Sequence, residues 1–349
     1  MKKFVIVLLI AIFAMAGVFA NGAEETVKDS GKVRVCVIYT GNLGDKSYND
    51  SCNAGTIQAL NEFDNLEVKS LEGTTADEWK SNFLSACEDG YDLVICAASN
   101  LQPYLEEYAS LYPAVKFAII DTTVDEPNVQ SISFAQNQGS FLAGAAAAMF
   151  TEKTEIDGIN SDAIIGWVGG MDIPVLHDFF IGYEQGAKYI NPDIQILMAF
   201  AGSWNDPLKG KELALAQFEQ GADIVMNVAS GTGPGILEGA VEAGKYAIGV
   251  DLNQDNEQPG SILTSQLKRV DRACYIEIES VINGTFEGGT TKYLTLTDGG
   301  VSLTDFSVMK KALGDKFPQE IVDKVAEIED MIVSGKIVVK NYKGYGNNL

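Results

Sequence analysis

The chain has 349 residues, of which 48 are acidic and 25 are lysine or arginine, so its formal net charge is −23. A negative field of this size repels nucleic acid and anionic membranes, and neither is expected as a partner. Arginine, the usual residue for bidentate capture of carboxylates and phosphates, occurs only as Arg34, Arg269 and Arg272. We therefore expect a ligand that is not anionic.

The N-terminal residues are typical of an export signal. A short basic start precedes the apolar run Phe4–Phe19, which is shorter than the roughly 20 residues of a membrane-spanning helix. We predict a signal peptide at residues 1–20 and a flexible leader at residues 21–32. A lipid anchor requires a cysteine at the cleavage site, and the first cysteine is Cys36. The mature chain is therefore expected in the periplasm or cell envelope, without a membrane anchor.

The cysteine pattern indicates neither disulfides nor a metal. The five cysteines cannot all pair with one another, and none of them forms a C-x-x-C motif. Cys36 and Cys96 lie in apolar runs, where cysteine behaves as a small hydrophobic residue. A disulfide framework and a zinc site are both unexpected.

Along the chain, short apolar runs alternate with helical stretches in two successive series. In the first series we predict strands at Val33–Thr40, Leu66–Leu71, Asp92–Ala97, Lys116–Ile120 and Ser131–Phe134, and helices at Tyr48–Glu62, Ala76–Glu88 and Leu101–Leu111. After a glycine-rich helix, Gly139–Phe150, the second series has strands at Ala163–Val168, Ile194–Phe200, Asp223–Val228 and Tyr246–Val250, and helices at Val175–Ile190, Pro207–Gln220 and Ile236–Ala243. Apolar strands separated by helices indicate parallel sheets covered on both faces. The fold class is therefore α/β, with two doubly wound lobes.

Ligands of open α/β sheets bind at the carboxyl ends of the strands, and here those ends carry polar and aromatic residues. The candidates for ligand binding are Asp45, Tyr48, Asn49, Asp121, Trp204, Gly231, Gly233, Asp251 and Lys268, the last of these at the predicted start of a helix. Each of these residues also has an ordinary structural explanation. An aspartate after a strand is commonly a helix N-cap, and a tyrosine at the start of a helix is commonly a packing residue. Their shared location at strand ends is what favours a binding site.

The candidate residues suit a flat, uncharged ligand. Aromatic rings from each series, Tyr48 and Trp204, would stack on the two faces of a ring. Asp121 would accept hydrogen bonds from the N–H groups of a nucleobase edge, while Asp251 and Lys268 would bracket a vicinal diol. A nucleoside combines these features.

Cofactor and catalytic motifs are incomplete. The glycine-rich run that contains Gly231 and Gly233 lacks the third glycine of a dinucleotide fingerprint, because position 236 is Ile236. His177 is the only histidine, and no G-x-S-x-G motif is present. We predict no cofactor, no metal and no enzyme activity.

The runs "GDKSYND", "FAIID", "IGWVGGMDIP", "ADIVMNVASGTGPG" and "YAIGVDLNQ" follow one another in an order that resembles the basic membrane protein family of ABC-transporter solute-binding proteins, including the purine nucleoside receptor type. The resemblance implies a type I periplasmic-binding-protein fold, with lobes joined by a three-strand hinge. It implies one lobe of residues 33–136 plus about 265–290 and another of about 137–264 plus 291–349. It also implies a monomer that captures a nucleoside, a purine by preference, for an ABC permease and ATPase.

The resemblance also assigns roles to single residues. Tyr48 matches the aromatic residue that stacks on the base, Asn49 the amide beside it, and Asp121 the carboxylate at the base edge. Trp204 occupies a position where the family commonly has phenylalanine. The ribose contacts correspond to Asp251 and Lys268, with a backbone contact at Gly231 or Gly233. Family members are usually lipoproteins, and the absent lipobox cysteine is a departure from that pattern.

Two other functions are compatible with the same residues. One is a receptor for a sugar or sugar-like autoinducer, which would use the polar strand ends without the aromatic pair. The other is an exported nucleoside hydrolase, which would need a nucleophile or a carboxylate cluster; here the acidic residues are dispersed over separate loops. Ligand stabilisation and turnover of inosine distinguish the three.

Overall fold

The computed structural model describes residues 31–344 of the chain. The predicted signal peptide at residues 1–20 and most of the predicted leader lie outside the described residues. Within residues 31–344, every helix is too short or too polar to cross a membrane.

Strands and helices alternate, as the sequence predicts. The strands are β1 (Val33–Tyr39), β2 (Leu66–Glu72), β3 (Leu93–Cys96), β4 (Lys116–Ile120), β5 (Val129–Phe134), β6 (Ile164–Gly169), β7 (Gln195–Phe200), β8 (Ile224–Val228), β9 (Tyr246–Asp251), β10 (Ile262–Lys268), β11 (Thr290–Leu294) and β12 (Val301–Leu303). The helices are α1 (Tyr48–Glu62), α2 (Ala76–Glu88), α3 (Gln102–Tyr108), α4 (Gln136–Thr151), α5 (Pro174–Ile190), α6 (Pro207–Glu219), α7 (Gly233–Ala243), α8 (Val270–Ile282), α9 (Ser307–Leu313) and α10 (Gln319–Val333).

The strands form two six-stranded sheets with matching topology. The first sheet has the order β11-β5-β4-β3-β1-β2 and the second the order β12-β10-β9-β8-β6-β7. All neighbours are parallel except β10 and β12, which are antiparallel. The predicted fold class, with two doubly wound parallel-sheet lobes, is confirmed. Each sheet, with its covering helices, is called the first or the second lobe below.

The chain passes between the sheets three times: after β5, after β10 and after β11. The second passage brings α8 onto α1 of the first lobe. Strand membership changes after Lys268 and again after Leu294, a few residues beyond the boundaries of about 265 and 290 predicted from the family resemblance. The division into domains itself stays a prediction.

The prediction that Lys268 stands at the start of a helix is wrong, because Lys268 is the last residue of β10 and α8 begins at Val270. This strand is buried, yet its centre is polar. Its polar groups are satisfied internally: the hydroxyls of Thr264 and Thr304 are 2.8 Å apart, and Ser140 donates to Gln266 Oε1 at 2.7 Å. Buried polar groups with such partners are compatible with a core strand. They interrupt the run of apolar residues by which a buried strand is recognised in a sequence, and β10 was therefore not predicted.

The expectation that the cysteines form no disulfide is also wrong. Cys52 in α1 and Cys274 in α8 are bonded, with their Cα atoms 5.8 Å apart. The two helices approach closely because Gly55 leaves room for the backbone carbonyl of Asp271. Since 222 residues separate the two cysteines, the pairing depends on the return of the chain to the first lobe.

Helices α4 and α5 form the tightest helix pair of the second lobe. Gly144 of α4 lies against the carbonyl of Tyr183, and Gly182 and Gly186 of α5 lie against the carbonyls of Asn137 and Phe141. A Cβ atom at any of these glycines would overlap the facing backbone. The small residues of the predicted helix Gly139–Phe150 thus serve close packing within the second lobe.

Candidate ligand-binding cleft

The two lobes face each other across a cavity with an empty volume of about 670 Å³. Six of the nine predicted site residues line it: Tyr48, Asn49, Asp121, Trp204, Asp251 and Lys268. Three do not, namely Asp45, Gly231 and Gly233. The carboxyl ends of strands from both sheets therefore meet at one cavity, as the topology rule predicts.

Asp45 organises the loop between β1 and α1. Its carboxylate accepts hydrogen bonds from the backbone N–H groups of Ser47, Asn49 and Asp50 at 3.0, 2.9 and 3.1 Å. It also accepts one from Nδ2 of Asn49 at 3.0 Å. These bonds satisfy N–H groups at the start of α1 that have no partner within the helix. Asp45 thus fixes the positions of Tyr48 and Asn49 and does not itself face the cavity.

The same loop joins the two lobes directly. Asp45 Oδ2 accepts from the hydroxyl of Ser230 at 2.8 Å, and the hydroxyl of Ser47 donates to Asp251 Oδ2 at 2.5 Å. Two further contacts involve Lys46: its carbonyl accepts from Gln254 Nε2 at 2.9 Å, and its ammonium lies 2.5 Å from Glu257 Oε2. We call these four bonds the interlobe contact. They hold the lobes together at one edge of the cleft.

Asp121 and Lys268 form an ion pair across the cleft. Lys268 Nζ lies 2.6 and 2.7 Å from the two carboxylate oxygens of Asp121, and the lysine is 1% exposed. Three aromatic rings surround the ammonium, with centroids at 5.5 Å for Tyr48, 5.2 Å for Phe134 and 5.3 Å for Phe179. The rings add a cation–π contribution in a site shielded from water. Lys268 is thus paired with Asp121, and the ribose contact that the resemblance implies for Asp251 and Lys268 stays a prediction.

Asp251 has a different electrostatic environment. Burial raises its pKa from 3.8 to about 7, although the ammonium of Lys268 and the hydrogen bond from Ser47 oppose the shift. The negative charges of Asp45 and Asp121 reinforce it. Near neutral pH this carboxyl group is therefore partly protonated, and it can donate as well as accept a hydrogen bond.

Tyr48 and Trp204 line the cavity from opposite lobes. Burial raises the pKa of Tyr48 well above 10, and the charge of Asp121 beside its hydroxyl raises it further. The phenol is therefore neutral. Trp204 lies on the backbone of Gly170, where a Cβ atom would overlap the indole ring. A glycine at the end of the first strand of the second lobe is thus what admits this tryptophan.

Gly231 and Gly233 were predicted to contact the ligand but do not line the cavity, whereas Phe179 lines it and was not predicted. The structure explains both differences. Gly231 packs against the side chain of Asn205 and Gly233 against that of Asn227, while the neighbouring Ser230 lines the cavity. Phe179 lies on the face of α5 that also brings Val175 and Leu176 to the cavity. The sequence pattern that could have predicted Phe179 is the spacing of apolar residues in the first turns of α5, which begins shortly after a strand ends.

Backbone strain is concentrated at the cleft. Of six non-glycine residues with left-handed backbone angles in the described part of the chain, three line the cavity: Asp121 (φ 70°), Ser230 (48°) and Asp251 (64°). A fourth, Lys46 (54°), belongs to the interlobe contact at the edge of the cleft. Such residues persist only where the surrounding structure holds them, and they cluster at functional sites. The cleft is therefore favoured as the functional site on grounds independent of its chemistry.

Comparison with solved structures defines the class of protein. A solute-binding protein of an ABC transporter system from Aeropyrum pernix K1 superposes with a TM-score of 0.82 and 28% identity, covering 90% of this chain and 95% of that one. The fold is therefore that of an ABC-transporter solute-binding protein with two parallel-sheet lobes.

Sequence comparison gives the family. The profile described as "ABC transporter substrate-binding protein PnrA-like" matches residues 32–343. The "ABC transporter nucleoside-binding protein BmpA" of Lactococcus lactis is 31% identical over 97% of this chain and 99% of that protein. "Basic membrane protein A2" of Borrelia garinii is 30% identical over 95% of each chain. The protein belongs to the Bmp family of ABC transporter substrate-binding proteins, which confirms the resemblance found in the sequence.

Proposed function

We propose that the protein, once exported, binds a neutral nucleoside in the cleft, with a purine favoured, and delivers it to an ABC permease and its ATPase. The observation that carries this proposal is that Tyr48 and Trp204 line one cavity from opposite lobes, together with two carboxyl groups at strand ends. The nucleoside-binding relative from Lactococcus lactis supports it.

In this proposal the base lies between the rings of Tyr48 and Trp204. Each stacked face contributes roughly 1–3 kcal/mol. N–H groups of the base edge donate to Asp121, whose carboxylate has acceptor capacity beyond its pairing with Lys268. Asp251 faces the ribose, since a partly protonated carboxyl group can both donate to and accept from hydroxyl groups.

The ligand acts by bridging the lobes. A nucleoside that contacts residues of both lobes binds the closed form more tightly and shifts the population towards it. The closed surface is then the one that the permease recognises. No bond of the ligand is broken, and the protein acts as a receptor without enzyme activity.

The test is a ligand screen with cleft variants. Guanosine, inosine or adenosine is expected to raise the Tm of the full chain, and ribose alone is not. Trp204→Ala is expected to weaken guanosine binding about 5- to 150-fold by calorimetry, which corresponds to the loss of about 1–3 kcal/mol of stacking. Asp121→Ala is expected to weaken it as well, because base N–H groups lose their acceptor.

Tyr189→Ala is the matched control, because this aromatic residue is 44% exposed on α5 and outside the cleft. Unchanged guanosine affinity in both Trp204→Ala and Asp121→Ala would remove the proposed site. Stabilisation by ribose or another free sugar in place of nucleosides would favour the sugar or autoinducer receptor. Turnover of inosine would favour the hydrolase.

A further inference from the structure

A second cavity adjoins the cleft. It has an empty volume of about 480 Å³ and shares Asp121 and Val175 with the cleft. Its other lining residues lie where β5 passes into α4, at the start of α5 and near the C-terminal end of the described chain: Ser133, Phe134, Gln136, Pro174, Asp178 and Tyr342. None of the residues predicted to contact a nucleoside, apart from Asp121, belongs to this set.

Two buried side chains in this cavity are hydrogen-bond acceptors. The carboxylate of Asp178 accepts from the backbone N–H of Tyr342 and from Nε2 of Gln136, both at 2.9 Å. The other amide atom, Oε1 of Gln136, is buried without a hydrogen-bond partner. Gln136 and Asp178 are each 8% exposed. A buried acceptor without a hydrogen-bond partner destabilises the folded protein by about 1–3 kcal/mol. A ligand that donates a hydrogen bond to Oε1 of Gln136 would therefore be favoured.

The charges around the cavity favour a cation. Lys268 is engaged by both oxygens of Asp121, and no lysine, arginine or histidine among the described residues forms an ion pair with Asp178. Burial raises the pKa of Asp178 above its usual value, although its hydrogen bonds and the more distant ammonium of Lys268 oppose this. A cation beside this carboxylate would stabilise its ionised form.

The walls of the cavity favour an organic cation over a metal ion. Calcium binds six to eight oxygen ligands, and magnesium requires a regular octahedron. Here much of the lining is apolar or aromatic, with Phe134, Pro174, Val175 and the ring of Tyr342. Aromatic rings attract ammonium and guanidinium groups through cation–π interactions. Only a cation that also has N–H groups matches both the rings and the acceptors.

We propose that the second cavity binds a small organic ammonium or guanidinium cation. Its N–H groups donate to Oε1 of Gln136 and to the carboxylate of Asp178. Its charge lies near the ring of Tyr342, because the ring of Phe134 already faces the ammonium of Lys268 at 5.2 Å. The second cavity shares Asp121 with the proposed nucleoside site, but Gln136 and Asp178 line only the second cavity, so variants at these two residues test this proposal on its own.

The experiment titrates the full chain, freed of bound ligand by unfolding and refolding, with methylammonium and with guanidinium at constant ionic strength. Binding is followed by NMR saturation transfer to the cation. One saturable site is expected for at least one of these probes. Tetramethylammonium, which has the charge and no N–H group, is expected to bind more weakly by about 5- to 150-fold, the value of one unmade hydrogen bond at this site.

Gln136→Leu is expected to weaken methylammonium or guanidinium binding by the same factor, and Asp178→Asn to weaken it further because the charge is lost. Asp323→Asn, an exposed carboxylate on α10, is the control. The Tm and the far-UV circular dichroism spectrum of each variant, compared with those of the unaltered chain, establish that it is folded whether or not guanosine binds. The proposal is overturned if neither probe binds saturably, which would leave water as the partner of Gln136, or if Gln136→Leu binds the cation as well as the unaltered chain.

Discussion

In the first lobe β4 is followed by Asp121, and in the second lobe β9, the strand at the equivalent position of its sheet, ends at Asp251. Both aspartates have left-handed backbone angles, φ 70° and 64°, and both line the cleft. Each is met by a side chain from the opposite lobe. For Asp121 this is the ammonium of Lys268, and for Asp251 it is the hydroxyl of Ser47.

The difference between the two partners separates the roles of two otherwise equivalent carboxyl groups. Asp121 has a cationic partner at 2.6 Å, whereas Asp251 has a neutral one, and burial raises the pKa of Asp251 to about 7 although the hydrogen bond from Ser47 opposes the shift. The repeated topology thus supplies the same group twice. The opposite lobe then gives each aspartate a different partner, and the burial that raises the pKa of Asp251 requires the lobes to be closed.

The largest expected effect comes from removing the cationic partner. In Lys268→Met, Asp121 is left without a counterion in the closed cleft, and loss of one member of a buried pair costs about 3–5 kcal/mol. Guanosine affinity is expected to fall by about two to four orders of magnitude in calorimetry. Adding Asp121→Asn is expected to restore part of it.

Lys153→Met is the control, because the pair of Lys153 with Glu320 is more exposed, with side-chain exposures of 23% and 57%. If Lys268→Met bound guanosine like the unaltered chain, the different partners of Asp121 and Asp251 would have no energetic importance.

The lobes also differ in covalent reinforcement, since the bond between Cys52 and Cys274 lies in the first lobe. The double variant Cys52→Ala/Cys274→Ala is expected to lose about 2–5 kcal/mol of unfolding free energy, because its unfolded chain is less constrained. Urea denaturation measures this. Dithiothreitol should lower the midpoint of the unaltered chain and leave that of the double variant unchanged; equal midpoints before and after reduction of the unaltered chain would contradict the prediction.

The raised pKa of Asp251 predicts that closure weakens as the pH rises. In the open form the carboxyl group returns to water and towards its ordinary pKa of 3.8, while in the closed form it has a pKa of about 7. The closed form therefore holds a proton that the open form releases. Its stabilisation is complete below about pH 4 and is lost as the pH rises through about 7, with a slope of at most about 1.4 kcal/mol per pH unit.

Small-angle scattering between pH 5 and 8 checks this in the unliganded chain. Asp251→Asn is expected to flatten the profile, because the amide side chain of the variant does not titrate. Superimposable profiles for the variant and the unaltered chain would assign the titration to another group.

The smallest effect is expected at the rim of the cleft. Lys46 and Glu257 are paired at 2.5 Å with side-chain exposures of 58% and 38%, and exposed pairs contribute about 0.2–1 kcal/mol. Lys46→Gln is expected to weaken guanosine binding less than tenfold, and salt should reduce the difference. A larger loss that persists in high salt would mean that this pair belongs to the closed core of the site.

The fold could be predicted from the sequence where local signals agree with burial. Helix α2 has the predicted bounds because Thr75 and Glu78 form a capping box at its start. Strand β10 could not be found in this way, since its buried polar residues obtain their partners from Thr304 and Ser140. Those partners are distant in the sequence, so no local sequence pattern predicts these hydrogen bonds.

The residues of the site could be predicted from the sequence where they follow the carboxyl ends of strands, because those ends meet at one cavity. Tyr48, Asp121, Trp204 and Asp251 each follow or end a strand, and the topology brings them to one cavity. The pairing of Asp121 with Lys268 spans 147 residues and two lobes. It depends on the angle at which the lobes meet, and that angle is not encoded in the order of the elements.

The glycine contacts between α4 and α5 have a practical consequence for studying motion. Because their backbones touch at Gly144, Gly182 and Gly186, these helices cannot slide past one another without a steric clash, and they form a stable reference frame. A spin label on the outer face of α5 would report the rotation of the whole second lobe. Distances from it to a label on α2 would then measure hinge opening without a contribution from helix slippage.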